Sequence, residues 1–129
     1  MPHFIKSSIV HNGARTAVVK IIGILDGKDL ERTNVINLAE LGTKIKGVRI
    51  DTLKFAVEEK LTLLLWWEGK DPEQFICPLA GRGLFDFEAF GGEHSRNDGK
   101  GSGNIQLSTT GCEGKKHFAL WLDMMKVED

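Results

Sequence analysis

The chain has 129 residues, 41% of them hydrophobic, and a formal net charge of -1. That length suits one domain, residues 1–129, able to bury a real core. Its 17 basic and 18 acidic residues are interspersed, which argues for solvated surfaces and against a phosphate-backbone binder, where Lys and Arg must gather on one face. Cys77 and Cys112 are too few for a disulfide framework. A single bridge between them is open, but two reduced thiols are the preferred reading. Met1-Pro2-His3-Phe4 leads into an amphipathic strand rather than a charged segment and an apolar h-region, so no secretory leader is expected. The longest apolar run, Leu61 to Trp67, falls far short of the roughly 20 residues of a membrane-spanning helix. No membrane association is expected.

In chain order, Phe4 to Val10 and Thr16 to Leu25 read as strands joined at Asn12-Gly13, a pair that tolerates the positive φ of tight hairpin turns. On the second strand Val18, Ile22 and Ile24 share one face and Val19, Ile21 and Leu25 the other, so it should lie inside the fold or against a partner. The segment 28–41 is ambiguous between a short helix and a strand; Thr33, Val35 and Ile36 favour a strand followed by a turn. Val48 to Val57 is a strand whose apolar parity changes between Ile50 and Leu53, which predicts a β-bulge near Asp51-Thr52.

Glu58-Glu59-Lys60 turns the chain into Leu61 to Trp67, the most apolar strand. Phe75 to Leu79 follows, confined to an edge or an end by Pro78. Leu84 to Phe90 reads as a strand with Phe85 and Phe87 on one face and Leu84 and Phe90 on the other. The stretch 91–103 has no apolar residue and must be a solvent-facing or partner-facing loop. Asn104 to Ser108 is a strand, and His117 to Val127 closes the chain with Phe118, Leu120, Leu122 and Met124 inward. About eight short strands with no convincing long helix imply an all-β, antiparallel β-sandwich, jelly-roll-like or barrel-like.

The chemical groupings are weak. Gly99-Lys100-Gly101-Ser102-Gly103 lacks the Gly-Lys-Ser/Thr order and the following helix of a phosphate loop, so it reads as a connector. His94 with Glu93 and Asp98 has no second histidine nearby, against the paired ligands typical of zinc. Cys112 with His117, or Ser95 with His94, sits in no nucleophile context. Glu58 and Glu59 are adjacent and point to different sides. No catalytic residue, metal site or cofactor is expected.

The tryptophans say more. Trp67 continues the inward face of its strand, while Trp66 and Trp121 fall on faces opposite the main core. They belong either to a second packed layer or to a subunit interface, where aromatic residues concentrate. Stacked single-stranded nucleic acid would need a basic groove as well, and the lysines do not cluster beside the tryptophans in the sequence.

The second half of the chain resembles small β-rich structural proteins encoded among the virion genes of tailed bacteriophages. The resemblance rests on Trp66-Trp67-Glu68, on the block Gly83-Leu84-Phe85-Asp86-Phe87-Glu88-Ala89-Phe90-Gly91-Gly92, on Gly103-Asn104-Ile105-Gln106-Leu107-Ser108-Thr109-Thr110-Gly111, and on the alternating strand from His117 to Val127. Asn104, Ser108 and His117 depart from the pattern at an acid, a Thr and an aromatic position. The resemblance implies a non-enzymatic virion component, made in the host bacterial cytoplasm. Its partners would be the major capsid protein or neck and tail proteins, and it would form a homo-oligomer. Capsid decoration or cementing is the leading expectation. A head-to-tail or tail-associated adaptor and a carbohydrate-binding attachment module are the alternatives, the last weakened by the absence of Tyr. The expected contact residues are Trp66, Trp121, Phe90, His94, Arg96, Asn97 and Lys100.

Overall fold

The computed structural model of the protein describes residues 3–42, 45–68, 74–90 and 103–128. Nine strands form: β1 (Phe4–Asn12), β2 (Thr16–Asp26), β3 (Thr33–Ile36), β4 (Ile45–Val57), β5 (Thr62–Trp67), β6 (Gln74–Leu79), β7 (Arg82–Asp86), β8 (Ile105–Thr110) and β9 (Lys115–Glu128). Two single turns of 3-10 helix, Leu38–Glu40 and Glu88–Phe90, are the helical elements among the described residues.

The strands make two antiparallel sheets. Sheet A runs β1-β2-β9-β4-β7 and sheet B runs β3-β8-β5-β6. The pairs β2/β9, β3/β8, β4/β7 and β5/β6 are nested, as if one long hairpin had been folded over. Contacts of β9 with β4 and of β8 with β5 close the ribbon into two sheets. This is the jelly roll, with β1 added outside β2. Two separate sheets, rather than one closed barrel, resolve the alternative left open by the strand count.

Period-two alternation builds the core. From sheet A it takes Ile21, Ile50, Leu53, Leu120, Leu122 and Met124; from sheet B it takes Leu63, Leu65, Trp67, Ile105 and Leu107. The parity change in β4 is a bulge between Ile50 and Thr52, at the expected place. It keeps Ile50 and Leu53 on one buried face and turns Asp51 toward Arg49, whose Nε lies 2.6 Å from the Asp51 carboxylate. That bond raises the Arg49 pKa above its ordinary value. Pro78 lies on β6, an edge strand as its missing N–H demands.

Two expectations change and one ambiguity closes. The β1–β2 hairpin forms, but neither Asn12 nor Gly13 has positive φ. The chain reverses over residues 13–15 and is closed by a 2.8 Å bond from Gly13 N–H to the Thr16 carbonyl. Asn12 still pairs with Ala17 in the ladder, so the turn falls after it, and the Lys126 ammonium donates to the Asn12 side chain, to the Gly13 carbonyl at 2.6 Å and to the Leu41 carbonyl at 3.0 Å. The strand read over Leu84 to Phe90 ends at Asp86, and Phe90 belongs to a 3-10 turn. The Phe87 N–H leaves the ladder and donates to the Asp51 carbonyl at the β4 bulge, 2.8 Å away. Finally, the ambiguous segment is a short strand followed by a turn, as favoured, but the strand holds only Thr33–Ile36.

Candidate functional site

In a two-layer sandwich each strand sends alternate side chains outward. Trp66 and Trp121 both point outward, but from different sheets, so they lie on opposite outer faces and cannot share one contact patch. No second layer covers either of them among the described residues. Phe90 is described only in its backbone, and His94, Arg96, Asn97 and Lys100 lie outside the described residues.

The outer face of sheet B is occupied by its own side chains. The Trp66 indole donates to Ser108 Oγ at 2.9 Å. The Arg32 guanidinium lies 4.4 Å from the centroid of the Trp66 ring, and Phe75 packs against that ring at 4.9 Å. Arg32 also donates to Gln106 at 3.1 Å, Gln106 donates to Asn34 at 2.8 Å, and Asn104 donates to Glu68 at 3.1 Å. The donors and acceptors of this face are thus largely spent on one another, and a stacking ligand would have to displace Arg32.

The outer face of sheet A is different. The strand register sets one row across it: Ser8, Lys20, Trp121, Lys54, Leu84. The adjacent row reads Lys6, Ile22, Ala119, Ala56, Arg82. At about 4.8 Å per strand, each row spans roughly 19 Å. Trp121 therefore stands between two lysines, and the Lys20 ammonium lies 5.8 Å from its ring centroid, within cation–π range. Lysines that do not cluster in the sequence are gathered beside the tryptophan by the pairing of β2, β9 and β4. Next to the tryptophan the face is apolar at Ile22, 37% exposed, and Leu84, 59% exposed, lies beyond Lys54 on the edge strand β7.

Ala56 and Ala119 floor a shallow depression of about 310 Å³, walled by Arg82, Glu58 and His117. The two alanines make it, because longer side chains at those positions would fill it. Glu58 closes its end: its carboxylate accepts from the His117 N–H at 3.2 Å and lies 3.8 Å from His117 Nδ1. Beyond the tryptophan row Asp123 and Asp86 continue the face, the latter opposite Thr52. The arrangement is an aromatic anchor with an apolar floor, framed by Lys6, Lys20, Lys54 and Arg82. Chemically it suits a partner that offers an apolar contact ringed by carboxylates. Sequence reasoning placed Trp121 on an outer face but missed its cationic frame, because only the register of non-adjacent strands makes these residues neighbours.

Glu93, Ser95, Asp98 and residues 99–102 lie outside the described residues, and the remaining candidates take structural roles. Cys77 and Cys112 are not joined by a disulfide. The Cys112 thiol, buried, faces the Gly114 carbonyl at 3.5 Å, and His117 engages Glu58 instead. Among the described residues no group of three or more His, Cys, Asp or Glu is placed to hold a metal ion, and no helix is long and apolar enough to cross a membrane.

The blocks behind the family resemblance also serve the fold. Gly83 leaves room for the Phe55 ring, and Phe55, Phe85 and Phe87 stack in series at 5.6 Å. Thr109 Oγ1 accepts from the Leu30 N–H at 2.7 Å and meets the Asp29 carboxylate at 3.1 Å. Gly111 has φ +82 and passes so close to Lys60 that a Cβ there would lie 2.6 Å from the Lys60 carbonyl oxygen. These are requirements of turns and strand crossings. No family model matches the chain, and no curated protein matches it either.

Proposed function

We propose that this chain is a non-enzymatic structural component of a tailed-phage particle, a decoration or cement protein that docks on the capsid shell through the outer face of sheet A. One observation carries the docking surface: Trp121 is set beside Ile22, Ala119 and Ala56 and framed by four cations, whereas the opposite face satisfies its own polar groups. Tryptophan is enriched among residues that dominate interface energies, and a cationic frame steers an acidic partner into register. The partner class comes from the sequence resemblance. Jelly rolls serve viral capsids and lectins alike, so the fold by itself does not choose.

The mechanism is additive burial. Each copy covers a modest area, and repeated copies bridging neighbouring shell subunits turn weak contacts into stable occupancy. A neck or tail adaptor would use the same contacts at a lower copy number. A carbohydrate-binding role at the Trp66 ring would have to displace Arg32, which already lies on it.

Copy number in purified particles is the test. Hundreds of copies per particle are expected. A dozen or fewer would move the protein to the neck or tail, and absence from particles would end the reading. In particles that contain it, Trp121→Ala combined with Lys20→Glu should strip most copies. Full retention of that variant would rule out sheet A as the docking face.

A further inference from the structure

A sheet edge exposes unpaired N–H and C=O groups, and folded proteins usually blunt it with proline, charge or shortness. Three of the four edges here are blunted. β6 carries Pro78, β3 has 4 residues, and β7 has 5 with Arg82 and Asp86 at its ends. β1 is the least protected. It runs 9 residues without proline or acid, its protection is limited to Lys6 and a bulge between Ile9 and His11, and Phe4, Ile9 and Val10 are 54%, 41% and 60% exposed. It is also the one strand outside the eight of the jelly roll, tied to sheet B where Ser7 Oγ donates to the Val35 carbonyl of β3 at 2.6 Å.

Its sequence is complementary to itself. Reversed about Ser7, β1 sets Ile5 opposite Ile9 and Lys6 opposite Ser8, and brings Phe4 to Val10 at the bulge that interrupts the β1–β2 register. Aromatic and β-branched residues then meet across the pair, and no two like charges are opposed. Centring on Lys6 would set lysine against lysine, and centring on Ser8 would set Lys6 against Val10. We propose that β1 pairs antiparallel with β1 of a second copy about Ser7, joining two copies of sheet A into one ten-stranded sheet. The contact is isologous, as a two-fold dimer requires.

The two-fold axis stands perpendicular to the joined sheet, so both outer faces look the same way. Five strand spacings separate the two Trp121 positions, about 24 Å. A dimer would therefore dock through two tryptophan patches at once. That bivalence rests on the docking role proposed above; the dimer does not.

Sedimentation velocity of the full chain, free of particles, tests the pairing. The expected result is a dimer whose dissociation constant rises roughly tenfold or more, a loss of at least about 1.4 kcal/mol, in Phe4→Lys/Val10→Lys. Both sites are exposed, so an unchanged circular dichroism spectrum will separate lost pairing from lost fold. Register is read by oxidation: Phe4→Cys mixed with Val10→Cys should give disulfide dimers, and either variant alone should not. A monomeric wild type, a dimer indifferent to the two lysines, or equal cross-linking by single variants would overturn the proposal. So would β1 amides that become protected from exchange only when capsids are added, because the occupant would then be a partner's strand. Particle occupancy is a separate readout, so failure of the docking role and failure of the dimer can be told apart.

Discussion

Gly23 offers the sharpest test of the packing. It sits on the inner face of β2, directly across from Phe118 of β9. The Phe118 ring is 3% exposed and lies over the glycine, so a Cβ at position 23 would come within 2.2 Å of the ring. The glycine φ is not in the left-handed region, so Gly23→Ala meets no backbone objection and acts by overlap alone. Ordinary contact requires the ring to retreat by more than an ångström into a filled core. Overpacking of this kind costs about 1–3 kcal/mol, while alanine recovers roughly 0.5–1 kcal/mol of the chain entropy that glycine forfeits in a strand.

A net loss of about 1–2 kcal/mol is therefore expected for Gly23→Ala, read as a lower urea midpoint at unchanged slope. The double-mutant cycle with Phe118→Leu isolates the cause. In the leucine background the alanine penalty should vanish or reverse, a coupling of roughly 1–2 kcal/mol. A neutral Gly23→Ala, or a penalty of the same size in both backgrounds, would show that the ring does not rest on the glycine.

Other outcomes follow from single contacts. Lys126→Met removes the donor that holds Asn12, Gly13 and Leu41 together, so a loss of about 2–3 kcal/mol in urea unfolding is expected, with faster amide exchange at residues 12–16. Gly111→Ala combines φ +82 with the 2.6 Å approach to the Lys60 carbonyl, whereas Gly114→Ala has φ +72 and nothing within 4 Å; thermal melts should show the first variant destabilised well beyond the ~1 kcal/mol strain of the second. Thr109→Val deprives the buried Leu30 N–H of its acceptor, a loss of about 1–3 kcal/mol, and exchange of that amide should rise even where the global melt shifts little.

Much of the architecture follows from local chemistry. Alternation over Leu61 to Trp67 and Phe118 to Met124 was enough to separate inward from outward residues, since a strand has only two sides. The slipped parity between Ile50 and Leu53 marked the β4 bulge for the same reason. Pro78 confined its strand to an edge or an end, because proline has no N–H to give a second neighbour, and the fold puts it at an edge. The outward direction of Trp66 and Trp121 could be read from parity alone.

What tertiary structure decided was adjacency. Parity says that Lys20, Lys54 and Trp121 face outward, but not that β9 inserts between β2 and β4 and sets the indole between two cations. The same pairing leaves Trp66 on the opposite face under Arg32, a residue far from it in the chain. It also brings Lys126 onto a turn more than a hundred residues earlier, where it donates to Asn12 and Gly13. Register between strands distant in sequence is set by the fit of whole buried faces, a collective property of the folded core. No short window of residues contains it, so the sequence by itself determined which side each residue takes, and the fold alone determined which residues meet there.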